Sequence, residues 1–147
     1  MTERESLRPQ AWDWARPRVL LEETSFGEET RARIDALRRA GYAVAVCPGP
    51  TATDVCPLAG DDGCAAAHGA DVVVSSLGLA TSEARTALEA LRARLPSLPV
   101  LVEVDAASAA SRPDLVQHED RIEPGLTPAD LVARVDAVIA RRVSPLG

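Results

Sequence analysis

The sequence predicts a single α/β domain built on a doubly wound, five-stranded parallel sheet. Its 147 residues leave room for one ordinary domain with a complete core and for little more. Apolar residues make up 46% of the chain but aromatic residues only 3%, so the core must consist of valine, leucine and alanine, as in parallel sheets covered by helices. Five predicted strands, the last of them only three residues long, alternate with helical segments, which is the pattern of a doubly wound sheet.

Each predicted strand is a short run, mainly apolar in the first four, that leads into a turn, a proline or a polar loop. The runs cover residues 18–21, 42–47, a segment that begins at 71, 99–104 and 121–123. Pro48 ends the second run and Pro124 ends the fifth, because proline has no N–H to continue a ladder. The third run contains three consecutive valines before Ser75 and Ser76, and it is apolar enough to be buried on both faces.

The predicted helices are marked by their caps and by apolar residues on one face. They cover residues 28–40, a short stretch around 64–68, 83–95, a part of 105–120 and a last segment from 128. Gly41 ends the first helix, and Ser82 is the expected cap of the third. In the last helix Thr127 is the cap and Pro128 the first helical residue. The folded domain is therefore expected over residues 17–143, between an N-terminal tail, 1–16, and a C-terminal tail, 144–147.

Composition and charge exclude several classes of function. All 16 basic residues are arginine, so chemistry that needs a lysine is excluded. The net charge is -6, with no basic cluster larger than an arginine pair, which argues against a nucleic-acid partner. No apolar run has the length of a bilayer span or of a signal peptide, so we expect a cytoplasmic protein without a membrane partner. The chain also lacks a glycine-rich phosphate loop and a nucleophile elbow, and we do not expect an enzyme.

Several short sequence segments resemble those of the receiver domain of response regulators, within the flavodoxin-like fold group. They are the Leu77-Gly78-Leu79 turn, the strand entry Leu98-Pro99-Val100-Leu101-Val102, Pro124, and the helical segment Leu131-Val132-Ala133-Arg134-Val135. The resemblance covers roughly residues 18–142 and rests on the order and spacing of these segments. It implies a receiver-like, five-stranded parallel sheet in a single domain.

The resemblance also implies a degenerate receiver pocket. In a working receiver an acidic pair after the first strand holds magnesium, an aspartate after the third accepts the phosphoryl group, and a hydroxyl residue and a lysine follow the fourth and fifth. Glu22 and Glu23 match the acidic pair. Ser76 stands at the position of the aspartate, Val104 at that of the hydroxyl residue and Glu123 at that of the lysine. Three of the four functional positions have therefore changed.

These changes predict a regulatory module that works without phosphorylation. A serine is a weak nucleophile that needs a general base, and the negative Glu123 would repel an incoming phosphate. Whether Ser75 or Ser76 is ever phosphorylated stays open at this stage. We expect a receiver-like, non-enzymatic module that binds an unidentified protein, or a second copy of itself, through the face formed by the fourth and fifth strands and the last helix. No cofactor is expected.

The acidic pair has two interpretations. Glu22 and Glu23 are either solvated loop charges at the start of the first helix or ligands of a divalent metal, for which Asp105 is an available third oxygen ligand. Because neither Ser76 nor Glu123 would help to bind a phosphate, a metal ion here would have no phosphoryl group to act on. We therefore predict none.

A cysteine cluster supports an alternative function. Cys47, Cys56 and Cys64 fall within one 18-residue span, and His68 follows four residues after the last of them. Three thiolates with one imidazole would complete a zinc site, and three thiolates alone could hold an iron-sulfur cluster. The spacing matches no standard metal motif, so buried thiols and a reversible Cys56–Cys64 disulfide remain as alternatives. The alternative function is a cytoplasmic metal- or redox-sensing protein.

Overall fold

Five parallel strands form one sheet in the computed structural model, which describes residues 14–50, 56 and 64–143. The strands are β1 (Arg18–Glu22), β2 (Ala43–Cys47), β3 (Val72–Ser75), β4 (Val100–Glu103) and β5 (Arg121–Ile122). Their order across the sheet is β2-β1-β3-β4-β5, and every pairing is parallel. The predicted five-stranded parallel sheet in a single domain is confirmed.

Helices cover both faces of this sheet. They are α1 (Glu28–Arg39), α2 (Ala65–Gly69), α3 (Ser82–Arg94), α4 (Ala106–Ser111) and α5 (Pro128–Val143). Apolar residues of α1 and α5 pack with Val19 and Leu21 of β1 on one face. Residues of α2 and α3 pack with Leu20 on the other face. The alternation of β1 side chains between two buried layers explains why its sequence is apolar at consecutive positions.

The helix caps were predicted correctly in one case and wrongly in another. The Thr127 hydroxyl accepts a hydrogen bond of 3.2 Å from the Asp130 N–H at the start of α5, as expected. For α3 the prediction of Ser82 was wrong, because Ser82 is already the first helical residue. Thr81 has the extended backbone of a cap, and its hydroxyl accepts from the Ala84 N–H at 3.1 Å.

The ends of the elements differ from the prediction by one or two residues, which is the usual uncertainty of such boundaries. β5 is shorter than expected and stops at Ile122, one residue before Glu123. The region 105–120 contains α4 and a 3₁₀ turn at His118–Asp120. Residues 1–13 and 144–147 lie outside the described residues, so the limits of the tails stay predictions. In the described part of the chain no helix is long and apolar enough to cross a membrane.

Candidate functional site at the carboxyl edge of the sheet

A buried polar row crosses the carboxyl edge of the sheet. Glu22, the last residue of β1, is in register with Cys47 on one side and with Ser75 on the other. Partners in parallel strands point to the same face, so these three side chains face α2 and α3 together with Leu20. Glu22 is only 5% exposed and Ser75 only 3%. The interpretation of Glu22 as a solvated loop charge is therefore wrong.

Burial changes the chemistry of the Glu22 carboxyl. Removal from water disfavours its charged form and raises its pKa to about 7, while a hydrogen bond from the Ser75 hydroxyl acts weakly in the opposite direction. The carboxyl is therefore partly protonated near neutral pH. The Glu22 carboxyl, which accepts a hydrogen bond from the Ser75 hydroxyl, can therefore bind or release a proton near neutral pH.

Glu23 lies on the other side of the sheet. It lines a cavity of about 380 Å³ together with Arg33 of α1 and Glu103 of β4. Burial raises the pKa of the Glu23 carboxyl, and the positive charge of Arg33 and a hydrogen bond with Ser76 oppose this rise. Glu22 and Glu23 are thus adjacent in sequence but directed to opposite faces. The described structure does not bring them together as a pair of ligands.

An ion pair crosses the cavity next to Glu23. Arg33 donates from Nη2 to Glu103 Oε2 at 2.6 Å and from Nη1 to Oε1 at 3.3 Å. Nη2 also donates to the Leu126 carbonyl at 3.2 Å, which links α1 to the loop before α5. The side chains of Arg33 and Glu103 are 8% and 15% exposed. In this two-point contact the positive charge of Arg33 neutralises the negative charge of Glu103 at the carboxyl edge.

The remaining residues of the predicted pocket lie apart from this cavity. Val104 is buried in the core beneath α2 and α3. Glu123 is exposed, and its carboxylate forms an ion pair with Arg121 at 2.6 Å. Asp105 caps α4 by accepting from the Ser108 N–H at 2.7 Å. Among the predicted pocket residues, Ser76 contacts both members of the acidic pair: its N–H donates to the Glu22 carbonyl at 2.8 Å, and its side chain is hydrogen-bonded to the Glu23 carboxyl.

The prediction overlooked Arg33 and Glu103, although each leaves a signal in the sequence. Arg33 lies one helical turn from both Thr30 and Leu37, on the buried face of α1. Glu103 is the single charge in the apolar run of β4. A charge at a buried position of a helix or a strand requires a partner, and such a partner could have been sought in the other element.

The three cysteines lie on the α2 side of the sheet. Cys47, Cys56 and Cys64 are each half-buried, pack against the same apolar cluster and take part in no disulfide. The pKa of the Cys47 thiol is raised to about 11, mainly by burial and to a smaller extent by the negative charges of Glu22 and the other cysteines. His68 is exposed near the opposite end of α2. Among the residues that the structure describes, no group of three or more potential ligands could hold a metal ion.

Solved structures of response-regulator receiver domains have a similar architecture. A CheY-like receiver domain protein from Methanospirillum hungatei superimposes with a TM-score of 0.64 at 13% identity, over 87% of this chain and 97% of that chain. The signal receiver domain of an HD domain-containing protein from Pseudomonas fluorescens gives 0.61 at 17%, over 88% and 98%. The non-phosphorylated HemR receiver domain from Leptospira biflexa gives 0.58 at 20%, over 84% and 94%.

At the sequence level no family model matches the chain, and no curated protein does. Identities of this size establish the architecture and leave the chemistry to be argued from the site. The strand order, the covering helices and these superpositions agree with the resemblance in the sequence. The chain therefore has the receiver-like fold of response-regulator receiver domains.

Proposed function

We propose that the protein is a regulatory module that does not depend on phosphorylation, has no catalytic activity and no cofactor, and acts by binding another protein. The observation that carries this proposal is the state of the carboxyl edge. At the position that resembles the phosphate acceptor, Ser76 is hydrogen-bonded to Glu23. The guanidinium of Arg33, the cation beside it, is already bound by Glu103. An incoming phosphoryl group would therefore meet carboxylates and a neutralised cation.

Glu123 supports the same proposal. The corresponding residue of a working receiver is a lysine that neutralises phosphoryl charge. Here a carboxylate stands at this position, 65% exposed and paired with Arg121. The change from a positive to a negative group removes an attraction and adds a repulsion. Both effects disfavour phosphotransfer.

We expect the purified protein to keep its unmodified mass after incubation with acetyl phosphate and Mg²⁺. Ser76 offers a hydroxyl instead of a carboxylate, and the guanidinium of Arg33 at the same edge is already bound by Glu103, so transfer to Ser76 should be negligible. Mass spectrometry of the intact protein measures the result. An added phosphate that persists in Ser75→Ala but disappears in Ser76→Ala would show that Ser76 is an acceptor, and would overturn phosphorylation independence.

The proposed contact surface is the face of β4, β5 and α5. On α5, Arg134 donates to the carbonyls of Arg121 at 3.3 Å and Glu119 at 3.0 Å, which fixes the helix against the edge of the sheet. Ala137 is exposed one turn after Arg134 on the same side of α5. A small exposed residue beside a fixed edge allows a partner to approach the helix backbone closely.

We expect Ala137→Arg to abolish partner binding, because its long charged side chain would project from the proposed contact surface. Ala93→Arg is the matched control, since Ala93 is exposed on α3 at the other face of the sheet. Affinity capture should retain one protein on the wild type and on the control but not on Ala137→Arg. Light scattering of the purified chain distinguishes a second copy from a different protein. Equal capture by both variants would exclude this surface.

The alternative function has two forms, metal sensing and redox sensing, and the described residues support the second more than the first. The metal-sensing form has no assembled ligand group among the described residues. The redox form is favoured by three thiols that lie against one apolar cluster.

A further inference from the structure

The direction of α2 brings Cys64 to the carboxyl edge of the sheet. At the end of α2, the Gly69 carbonyl accepts a hydrogen bond from Nε of Arg18, the first residue of β1. This end of α2 therefore lies at the amino edge. Cys64 precedes the other end of α2. It lies toward the carboxyl edge, where Cys47 ends β2.

The packing and the electrostatics agree with this placement. Cys47 and Cys64 are both half-buried and both pack against the apolar cluster on the α2 side. Cys47 points to this side because it is in register with Glu22. A negative charge on Cys64 contributes to the raised pKa of Cys47, and contributes more than a charge on Cys56, as expected for two thiols at the same edge and on the same face of the sheet.

We propose that Cys47 and Cys64 form an oxidation site that a hydroperoxide converts into a disulfide. In the balanced reaction two thiols and one hydroperoxide give one disulfide, one alcohol and one water, and with hydrogen peroxide they give two waters. The two sulfurs lose two electrons to the O–O bond, which breaks. As a regulatory input the site rests on the proposed function, whereas its chemistry is tested separately.

The environment of the two thiols assigns them different roles. Burial keeps the Cys47 thiol protonated, so Cys64 is the thiol that reacts with the peroxide. Its sulfur takes one oxygen as a sulfenic acid. The Cys47 sulfur then attacks the Cys64 sulfur, the S–O bond breaks, and the oxygen leaves as water with the thiol proton. The product ties the end of β2 to the start of α2.

The disulfide would also change the stability of the domain. It closes a loop from residue 47 to residue 64 and so restricts the unfolded chain. For a loop and a domain of this size we expect the midpoint of thermal unfolding, Tm, to rise by about 10 °C. Reduction with dithiothreitol should reverse the rise.

The test uses the full-length reduced protein and excess hydrogen peroxide. Thiol counting after denaturation should show the loss of two of the three thiols, and peptide mapping should find Cys47 joined to Cys64. Cys56→Ser is the control and should form the same disulfide. Cys47→Ser and Cys64→Ser should form no intramolecular disulfide. Because the wild-type peptide map alone is decisive, the test does not depend on the folding of these variants.

Other products would overturn the proposal. A disulfide that contains Cys56, or three thiols that survive the treatment, would show that Cys47 and Cys64 are not the oxidation site. Neither result would alter the outcome with acetyl phosphate or with Ala137→Arg. If the disulfide forms but the captured partner is bound equally by the oxidised and reduced protein, the site is an oxidation site without a regulatory role, and the regulatory part of the inference fails.

Discussion

Glu22→Gln is expected to abolish most of the decrease in the free energy of unfolding that the wild type shows as pH rises from about 4.5 to about 7. The carboxyl has an ordinary pKa of 4.5 in the unfolded chain and a pKa of about 7 in the fold, because burial disfavours its charge. Between these values the folded state holds a proton that the unfolded state has released. Unfolding therefore becomes easier as pH increases through this range, and the effect levels off above it. The full loss amounts to about 3 kcal/mol.

Denaturant unfolding at a series of pH values measures this effect. The wild type should show a free energy of unfolding that falls from pH 4.5 to pH 7, and Glu22→Gln a flatter curve. Glutamine keeps the shape of the side chain and an oxygen that can accept from the Ser75 hydroxyl. Glu123→Gln is the control, because Glu123 is 65% exposed and should leave the slope unchanged. If Glu22→Gln and the wild type have parallel curves, Glu22 is not the titrating group.

Arg33→Ala is expected to lower the free energy of unfolding by about 3 kcal/mol. Arg33 contributes two hydrogen bonds to Glu103 and one to the Leu126 carbonyl. Without it, Glu103, whose side chain is only 15% exposed in the intact pair, would lie near the carboxyl group of Glu23 without its cationic partner. The desolvated charge, more than the lost contact, accounts for the size of the effect.

A double-mutant cycle separates these two contributions. Replacing both members of the pair, Arg33→Met with Glu103→Leu, should destabilise the domain less than Arg33→Met alone, because no unpaired charge is left. Arg112→Ala is the control: its contacts with Glu89 and Asp114 are exposed, and the free energy of unfolding should hardly change. Strictly additive effects of the two single substitutions would show that the Arg33–Glu103 pair is not coupled.

The ion pair also bears on function. It places a cation of the chain itself next to Ser76 and Glu23, and it joins α1, β4 and the loop before α5. In the proposed module Glu103 occupies the Arg33 guanidinium, which would otherwise be available to an anion from outside the chain. On this face of the sheet the charge of Glu103 is thereby neutralised within the chain. Input would have to arrive elsewhere, as it would at the proposed thiol pair.

The sheet and the main helices were predictable because their signals are local. Short apolar runs mark the first four strands, Pro124 follows the short fifth one, and Thr127 with Pro128 marks the start of α5. The wrong cap of α3 shows the limit of such signals. Thr81 and Ser82 have the same hydroxyl chemistry, and the backbone angles alone decide which of them caps.

The sequence by itself determined the order of the elements and the composition of the core, and it led to the prediction that Ser76 stands at the position of the receiver acceptor. Only the tertiary structure decided that Glu22 is buried beside Ser75 and Cys47, that Glu23 faces the opposite side, and that Arg33 of α1 binds Glu103 of β4. Apolar periodicity and caps act over a few residues. The protonation and pairing of a side chain depend on strand register and on helices that are 50 to 100 residues away in the chain, as in the 70-residue separation of Arg33 from Glu103.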